Sequence, residues 1–86
     1  LVVGKGERVE AWAAEAAAYL EPYELEASTE IRTGDPSETI VEYAEERHAD
    51  MLLMGAYGHT KVRRLVVGST TAYAINHSPC PLLLTR

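Results

Sequence analysis

The chain has 86 residues, 47% of them hydrophobic, with one cysteine and a formal net charge of −5. That length holds one small domain, the apolar content excludes a disordered chain, and no apolar run approaches the roughly 18 residues of a membrane-spanning helix. Thirteen acidic and four basic residues leave positions 1–50 at −9, whereas four basic and no acidic residues leave positions 51–86 at +4; this excludes a long nucleic acid as partner and turns the second half toward a small anion.

Leu1-Val2-Val3 is a short β-like run that stops at the turn Gly4-Lys5-Gly6. With Glu7-Arg8-Val9 the turn imitates G-x-G-x-x-G, but Val9 replaces the third glycine, so it reads as a strand-to-helix turn rather than a dinucleotide fingerprint. The run is too short for a signal peptide and charge follows it. With a single thiol, the expected compartment is the cytoplasm. Because the sequence opens on what reads as the end of a strand, an upstream portion is expected to be missing.

Glu7 to Leu20 has helical spacing, with Val9, Trp12, Ala13, Ala16, Tyr19 and Leu20 on one stripe, read as core. Glu21-Pro22 ends it, since a residue before proline is pushed out of the helical region. Leu25 to Thr33 alternates apolar and charged residues, as an edge strand with one wet face does. Gly34-Asp35-Pro36-Ser37-Glu38 is a helix start: Asp35 caps, Pro36 takes the first helical position and Glu38 completes a capping-box pattern. This reading of Asp35 is preferred to a catalytic acid. The helix is expected to run to about His48, with Ile40, Val41, Ala44 and His48 as its buried stripe.

Met51 to Met54 is continuously apolar, as a strand buried on both faces of a parallel sheet would be. Gly55-Ala56-Tyr57-Gly58 follows, then Gly68-Ser69-Thr70 opens a helix from about Ser69 to His77, with Ala72, Ile75 and Tyr73 turned inward. Pro79-Cys80-Pro81 breaks that helix, and Leu82 to Thr85 is a last short strand with Pro81 at its start. Cys80 reads as a small apolar residue of the structure. The alternation of strands and helices predicts an α/β domain over residues 1–86 with right-handed parallel crossovers and helices on both faces.

The glycine stretch carries the chemistry. Glycine lets backbone approach a ligand without a side chain in the way, successive N–H groups form an anion-binding concavity, and a helix N-terminus adds unpaired donors and partial positive charge. Ser69 and Thr70 add hydroxyls. In open α/β sheets, ligands lie beyond the carboxyl ends of the strands, where Gly55 to Gly58 falls. The expected ligand is a phosphate group. A KH-type G-x-x-G loop is disfavoured, because that loop joins two helices and the chain is acidic.

The spacing Gly55-x2-Gly58-x9-Gly68-Ser69, after an apolar strand and before a helix, resembles the nucleotide-binding universal stress protein family. Gly34-Asp35-Pro36, the segment Ala49 to Gly55 and the segment His77 to Leu84 resemble that family's third, fourth and last strands with their turns. The resemblance implies a three-layer, doubly wound, Rossmann-like parallel sheet in the order 3-2-1-4-5, here incomplete at the N-terminus because Leu1-Val2-Val3 matches the second strand. It implies ATP, with or without Mg2+, as the ligand, held by Gly55, Gly58, His59, Gly68, Ser69 and Thr70. Lys61, Arg63 and Arg64 either supply charge to the phosphates or form a solvated face. It also implies a homodimer through the last strand, Leu82, Leu83 and Leu84. The expected function is an adenine-nucleotide sensor or switch in stress response rather than a catalyst, with no protein-bound metal and no catalytic residue. The alternative is a nucleotide-free dimerisation or interaction module, half of a tandem protein.

Overall fold

The computed structural model describes residues 1–55 and 68–85. In order, the elements are β1 (Val2–Val3), α1 (Glu7–Leu20), a 3-10 turn (Glu21–Tyr23), β2 (Ile31–Arg32), α2 (Pro36–Glu46), β3 (Leu52–Gly55), α3 (Ser69–His77) and β4 (Leu82–Thr85). β1 pairs with β2 and β3 with β4, both in parallel. Among the described residues these pairs form two separate two-stranded sheets rather than one. α2 packs on α3 and also touches β1, so it links the two halves.

The turn into α1 is dictated by packing. Gly4 has φ 151°, and a Cβ there would lie 2.9 Å from Cγ2 of Val9. Val9 is one of the buried core residues. The residue that spoils the dinucleotide fingerprint is thus the one that docks α1, and Gly4 makes room for it. At the far end α1 passes into the 3-10 turn with Pro22 in its first turn, and Glu24 closes that turn in the left-handed region at φ 52°. The proline therefore tightens the helix end, and Glu24 terminates it.

α2 starts as its sequence predicts. Asp35 is the N-cap, its Oδ2 accepting from the Glu38 N–H at 3.2 Å, with Pro36 in the first turn. Its end is earlier than expected, at Glu46. His48 takes φ 49°, and the Ala49 N–H donates to the Ala44 carbonyl, an end stabilised by one left-handed residue. His48 is accordingly exposed rather than part of the buried stripe. Thr39, Val41 and Ala44 are buried, with Ile40 half-buried.

The expected strand Leu25–Thr33 contracts to Ile31–Arg32. A ladder can be no longer than its partner, and β1 offers two residues, with Val2 N–H donating to the Glu30 carbonyl and Gly4 N–H to that of Arg32. Leu25 to Thr29 therefore lie outside the ladder, and Leu25 is exposed. On α1, Val9 and Ala13 are buried, whereas Trp12 is 44% and Tyr19 69% exposed and Ala16 is exposed. Trp12 and Tyr19, seven residues apart, share a flank of α1 that lies about 90° from the Val9–Ala13 face at the helical pitch. Arg8 lies over the Trp12 ring at 5.5 Å, and Tyr19 meets Tyr23 at 5.9 Å.

β3 is not buried on both faces. Leu52 and Met54 are half-buried, while Leu53 is 61% exposed, and Leu82, Leu83 and Leu84 repeat that alternation on β4. One face of the β3–β4 pair is covered and the other is not. On α3 the buried residues are Thr71 and Ala74, three apart on one face. Ala72 and Tyr73 are half-buried, and Ile75, expected inside, is exposed. Cys80 is half-buried; its N–H donates to the Ser78 hydroxyl, which donates in turn to the Cys80 carbonyl at 2.7 Å.

One charged cluster ties β2 to α2. Arg32 donates to Glu30 and, through Nη2, to Oε2 of Glu46 at 2.7 Å, and its guanidinium lies 4.7 Å from the Tyr43 ring centroid. The hydrogen bond from Arg32 holds the Glu46 carboxyl below the ordinary carboxylate range against a smaller opposing cost of desolvation. A carboxyl depressed in the folded state stabilises above its unfolded pKa, about 4.3 for Glu, and loses that contribution as pH falls through the folded value. Acid titration of thermal stability is therefore expected to be shallower for Glu46→Gln than for the parent below about pH 4.3, and the two are expected to run parallel above pH 6. The cluster is solvent-accessible, so the difference is small and shrinks in high salt.

Candidate functional site

Those candidate residues that the structure describes lie at the end of β3 and the start of α3. Gly55 is the last residue of β3, paired with Thr85 at the end of β4. Gly68 is the N-cap of α3, with φ −65° and ψ 163°. Its carbonyl accepts from the Ala72 N–H at 2.9 Å, which closes the first turn. Among the described residues no side chain caps this helix, whose N-cap is itself a glycine, and its first turn carries no acidic residue. The leading N–H groups of the helix, through Ser69, Thr70 and Thr71, are left without intrahelical acceptors. Ser69 is exposed, Thr70 half-buried and Thr71 buried.

The contrast with α2 is chemical. α2 fills its own N-terminus with the carboxylate of Asp35, whereas α3 leaves its N-terminus to bare donors and hydroxyls. Neither Gly55 nor Gly68 has a left-handed φ, and among the described residues no atom lies within 4 Å of a Cβ built on either. Among the described residues, neither backbone strain nor packing accounts for glycine at these positions. The donor set fits an anion such as phosphate.

Of the residues expected to bind nucleotide, Gly55, Gly68, Ser69 and Thr70 fall on these two elements. Gly58 and His59 lie outside the described residues, as do Lys61, Arg63 and Arg64. Asp35 is placed as a helix cap, away from this role. Among the described residues no group of three His, Cys, Asp or Glu side chains could hold a metal ion, and no helix is long and apolar enough to cross a membrane. Thr71 has no mark in the sequence reading beyond its place after Ser69-Thr70. Only its burial distinguishes it as the residue that seats the first turn.

A profile of the universal stress protein family matches residues 3–86. The chain belongs to the universal stress protein family. It is 42% identical over 67 residues to universal stress protein Slr1230 of Synechocystis, covering 78% of this chain and 23% of that protein. The structure of MJ0577 of Methanocaldococcus jannaschii superposes on it with a TM-score of 0.83 at 29% identity, covering 92% of this chain and 55% of that one. UspA of Lactobacillus plantarum superposes with a TM-score of 0.66 at 32% identity, covering 93% and 61%. The fold is therefore the Rossmann-like α/β fold of universal stress proteins. The chain spans 23% of the Synechocystis protein's length and little more than half that of the two solved structures.

Proposed function

We propose that this chain carries the phosphate-binding half of an adenine-nucleotide site in a stress-response protein, and that the site acts as a sensor or switch rather than as a catalyst. The observation that carries the reading is the uncapped N-terminus of α3 behind Gly68, in a universal stress protein domain whose other helix of this half is capped by its own aspartate. Gly55, Gly68, Ser69 and Thr70 contribute backbone donors and hydroxyls, and Gly58 and His59 complete the set. ATP is the proposed ligand, with Mg2+ as the nucleotide's own counter-ion. Phosphoryl transfer requires a positioned base and charge clamps. The sequence has no Asp or Glu after Asp50, which supports binding over turnover.

The proposed assembly is a homodimer through β4. Strand alternation turns the backbone N–H and C=O groups of Leu82 and Leu84 away from β3, so that edge can pair with another copy. The proposed compartment is the cytoplasm. A second reading, a nucleotide-free interaction module, draws support from the two unjoined half-sheets.

The complete gene product, purified without added nucleotide and then denatured, is expected to release ATP or ADP detectable by chromatography and mass spectrometry. A Gly58→Val variant is expected to release none. An empty parent that also fails to take up added ATP would refute the nucleotide reading and leave the interaction module in its place.

A further inference from the structure

The edge of β2 that faces away from β1 is open. Val2 N–H donates to the Glu30 carbonyl and Gly4 N–H to the Arg32 carbonyl, so Glu30 and Arg32 turn their backbone groups toward β1. Successive residues of a strand alternate, and the N–H and C=O of Ile31 and Thr33 therefore point outward. Among the described residues no strand pairs with them on that side. Ile31 and Thr33 are both exposed.

Beside this edge lies a groove. A cavity of about 380 Å³ is lined by Ala17, Ala18 and Leu20 at the end of α1 and by Leu25, Ala27 and Thr29 of the segment leading into β2. Every second residue of that segment lines it, as in an extended chain, so Glu26, Ser28 and Glu30 take the opposite face. Arg32 shares that opposite face and reaches Glu46 of α2. The two faces differ in chemistry. The groove side is small and apolar, and Glu21 is the charged member of its lining. The other side is acidic. Among the described residues Glu21, Glu24 and Glu26 form no ion pair, whereas Glu30 is matched by Arg32. No Lys, Arg or His falls between Arg8 and Arg32, where six glutamates do.

These features select the occupant. A strand added to a sheet edge takes its affinity from main-chain hydrogen bonds and its specificity from where alternate side chains fall. On the groove side such a strand meets Leu25, Ala27 and the alanines of α1, which favour apolar side chains of moderate size. On the other side it meets the unneutralised Glu26, which favours lysine or arginine. A second copy of this chain would bring its own acidic edge against this one, and like charges oppose that pairing.

We infer that the outer edge of β2, with the groove beside it, is a docking site for an extended segment of a partner protein in which apolar and basic residues alternate. Ile31 and Thr33 supply the backbone pairing, the cavity takes the apolar side chains, and Glu26 faces the basic ones. No residue of the proposed nucleotide site takes part, so this inference and that reading can fail separately.

The test uses the complete gene product and a short acetylated peptide of alternating valine and lysine, read by calorimetry and amide hydrogen exchange. Saturating peptide is expected to slow exchange at Ile31 and Thr33 by about tenfold or more. Gly4, whose acceptor is already internal, is expected to be unchanged. Peptides of alternating valine and glutamate, or of glycine and lysine, are expected to bind about tenfold more weakly. The first has the wrong charge, and the second has nothing to fill the groove. Ile31→Pro removes an outward N–H at an edge position, where proline is tolerated, and is expected to abolish binding. Glu26→Lys leaves the backbone intact and is expected to weaken binding about fivefold, an effect that shrinks in high salt. Equal binding of the glycine–lysine peptide would overturn the inference, since net charge alone would then account for it. So would unchanged exchange at Ile31 and Thr33 with peptide bound. Protection of those amides without peptide, in a dimer of the protein, would overturn it too and give the edge to a second copy.

Discussion

A Gly68→Asp chain is expected to fold with unchanged or slightly raised stability and to lose about a hundredfold in affinity for adenine nucleotide. Gly68 sits at φ −65° and ψ 163°, a region open to any residue, and no described atom lies within 4 Å of a Cβ built there. Aspartate at an N-cap is among the preferred residues, and replacing glycine with it gains a few tenths of a kcal/mol. The same carboxylate accepts from the N–H groups of Thr70 or Thr71 and places a full negative charge at the positive end of α3. Phosphate then loses donors, loses a favourable helix-terminus interaction of about 1 kcal/mol, and meets like charge. Together these losses amount to about 2–3 kcal/mol, the hundredfold stated. Gly68→Asn caps without the charge and is expected to lose about tenfold. Calorimetric titration of the complete protein with ATP, beside thermal unfolding of each variant, separates the two effects because they have opposite signs. Parent-like affinity in Gly68→Asp would remove the N-terminus of α3 from the site.

The parts of this fold legible in the sequence are those specified by local chemistry. Asp35 and Pro36 set the start of α2, Gly68 and Ser69 the start of α3, and Pro79-Cys80-Pro81 its end; α1 spans the predicted residues. What sequence periodicity did not yield is which apolar residue of an element finds a cover. Trp12, Tyr19, Leu53 and Ile75 all lie on apolar stripes and are exposed, because burial depends on what packs against each face, and that is not a local property. The length of β2 fails for the same reason: Leu25 to Thr33 alternates well, but its partner β1 has two residues. On the candidate site, the motif spacing marked Gly55, Gly68, Ser69 and Thr70, and the structure shows the missing cap on α3 and the open space at both glycines. The missing cap was legible, since a glycine N-cap has no side chain to offer, whereas the space around each glycine was not, because it depends on what packs nearby.

The largest stability effect is expected at Ala74, a residue that hydrophobicity alone would rank below its neighbour Ile75. Ala74 is 0% exposed and lies on α3, the helix that packs on α2. Small residues let two helices approach closely, and their separation is set by the side chains at the contact. Ala74→Leu adds three carbons where nothing can yield without moving a helix, at a cost of about 1–3 kcal/mol. Ala74→Asp buries a charge with no partner, at several kcal/mol. A chain of this size has a total stability of about 4–13 kcal/mol, so the aspartate variant is expected to be largely unfolded. Ile75→Ala, by contrast, removes a side chain that is 53% exposed, and is expected to cost under about 1 kcal/mol. Urea unfolding followed by circular dichroism should rank the midpoints as Ile75→Ala above Ala74→Leu above Ala74→Asp, with constant slopes for the first two. If Ile75→Ala proves costlier than Ala74→Leu, then α3 turns its Ile75 face inward. The face bearing Thr71 and Ala74 would then be the free one, and the seating of the first turn of α3, on which the proposed phosphate site depends, would fall with it.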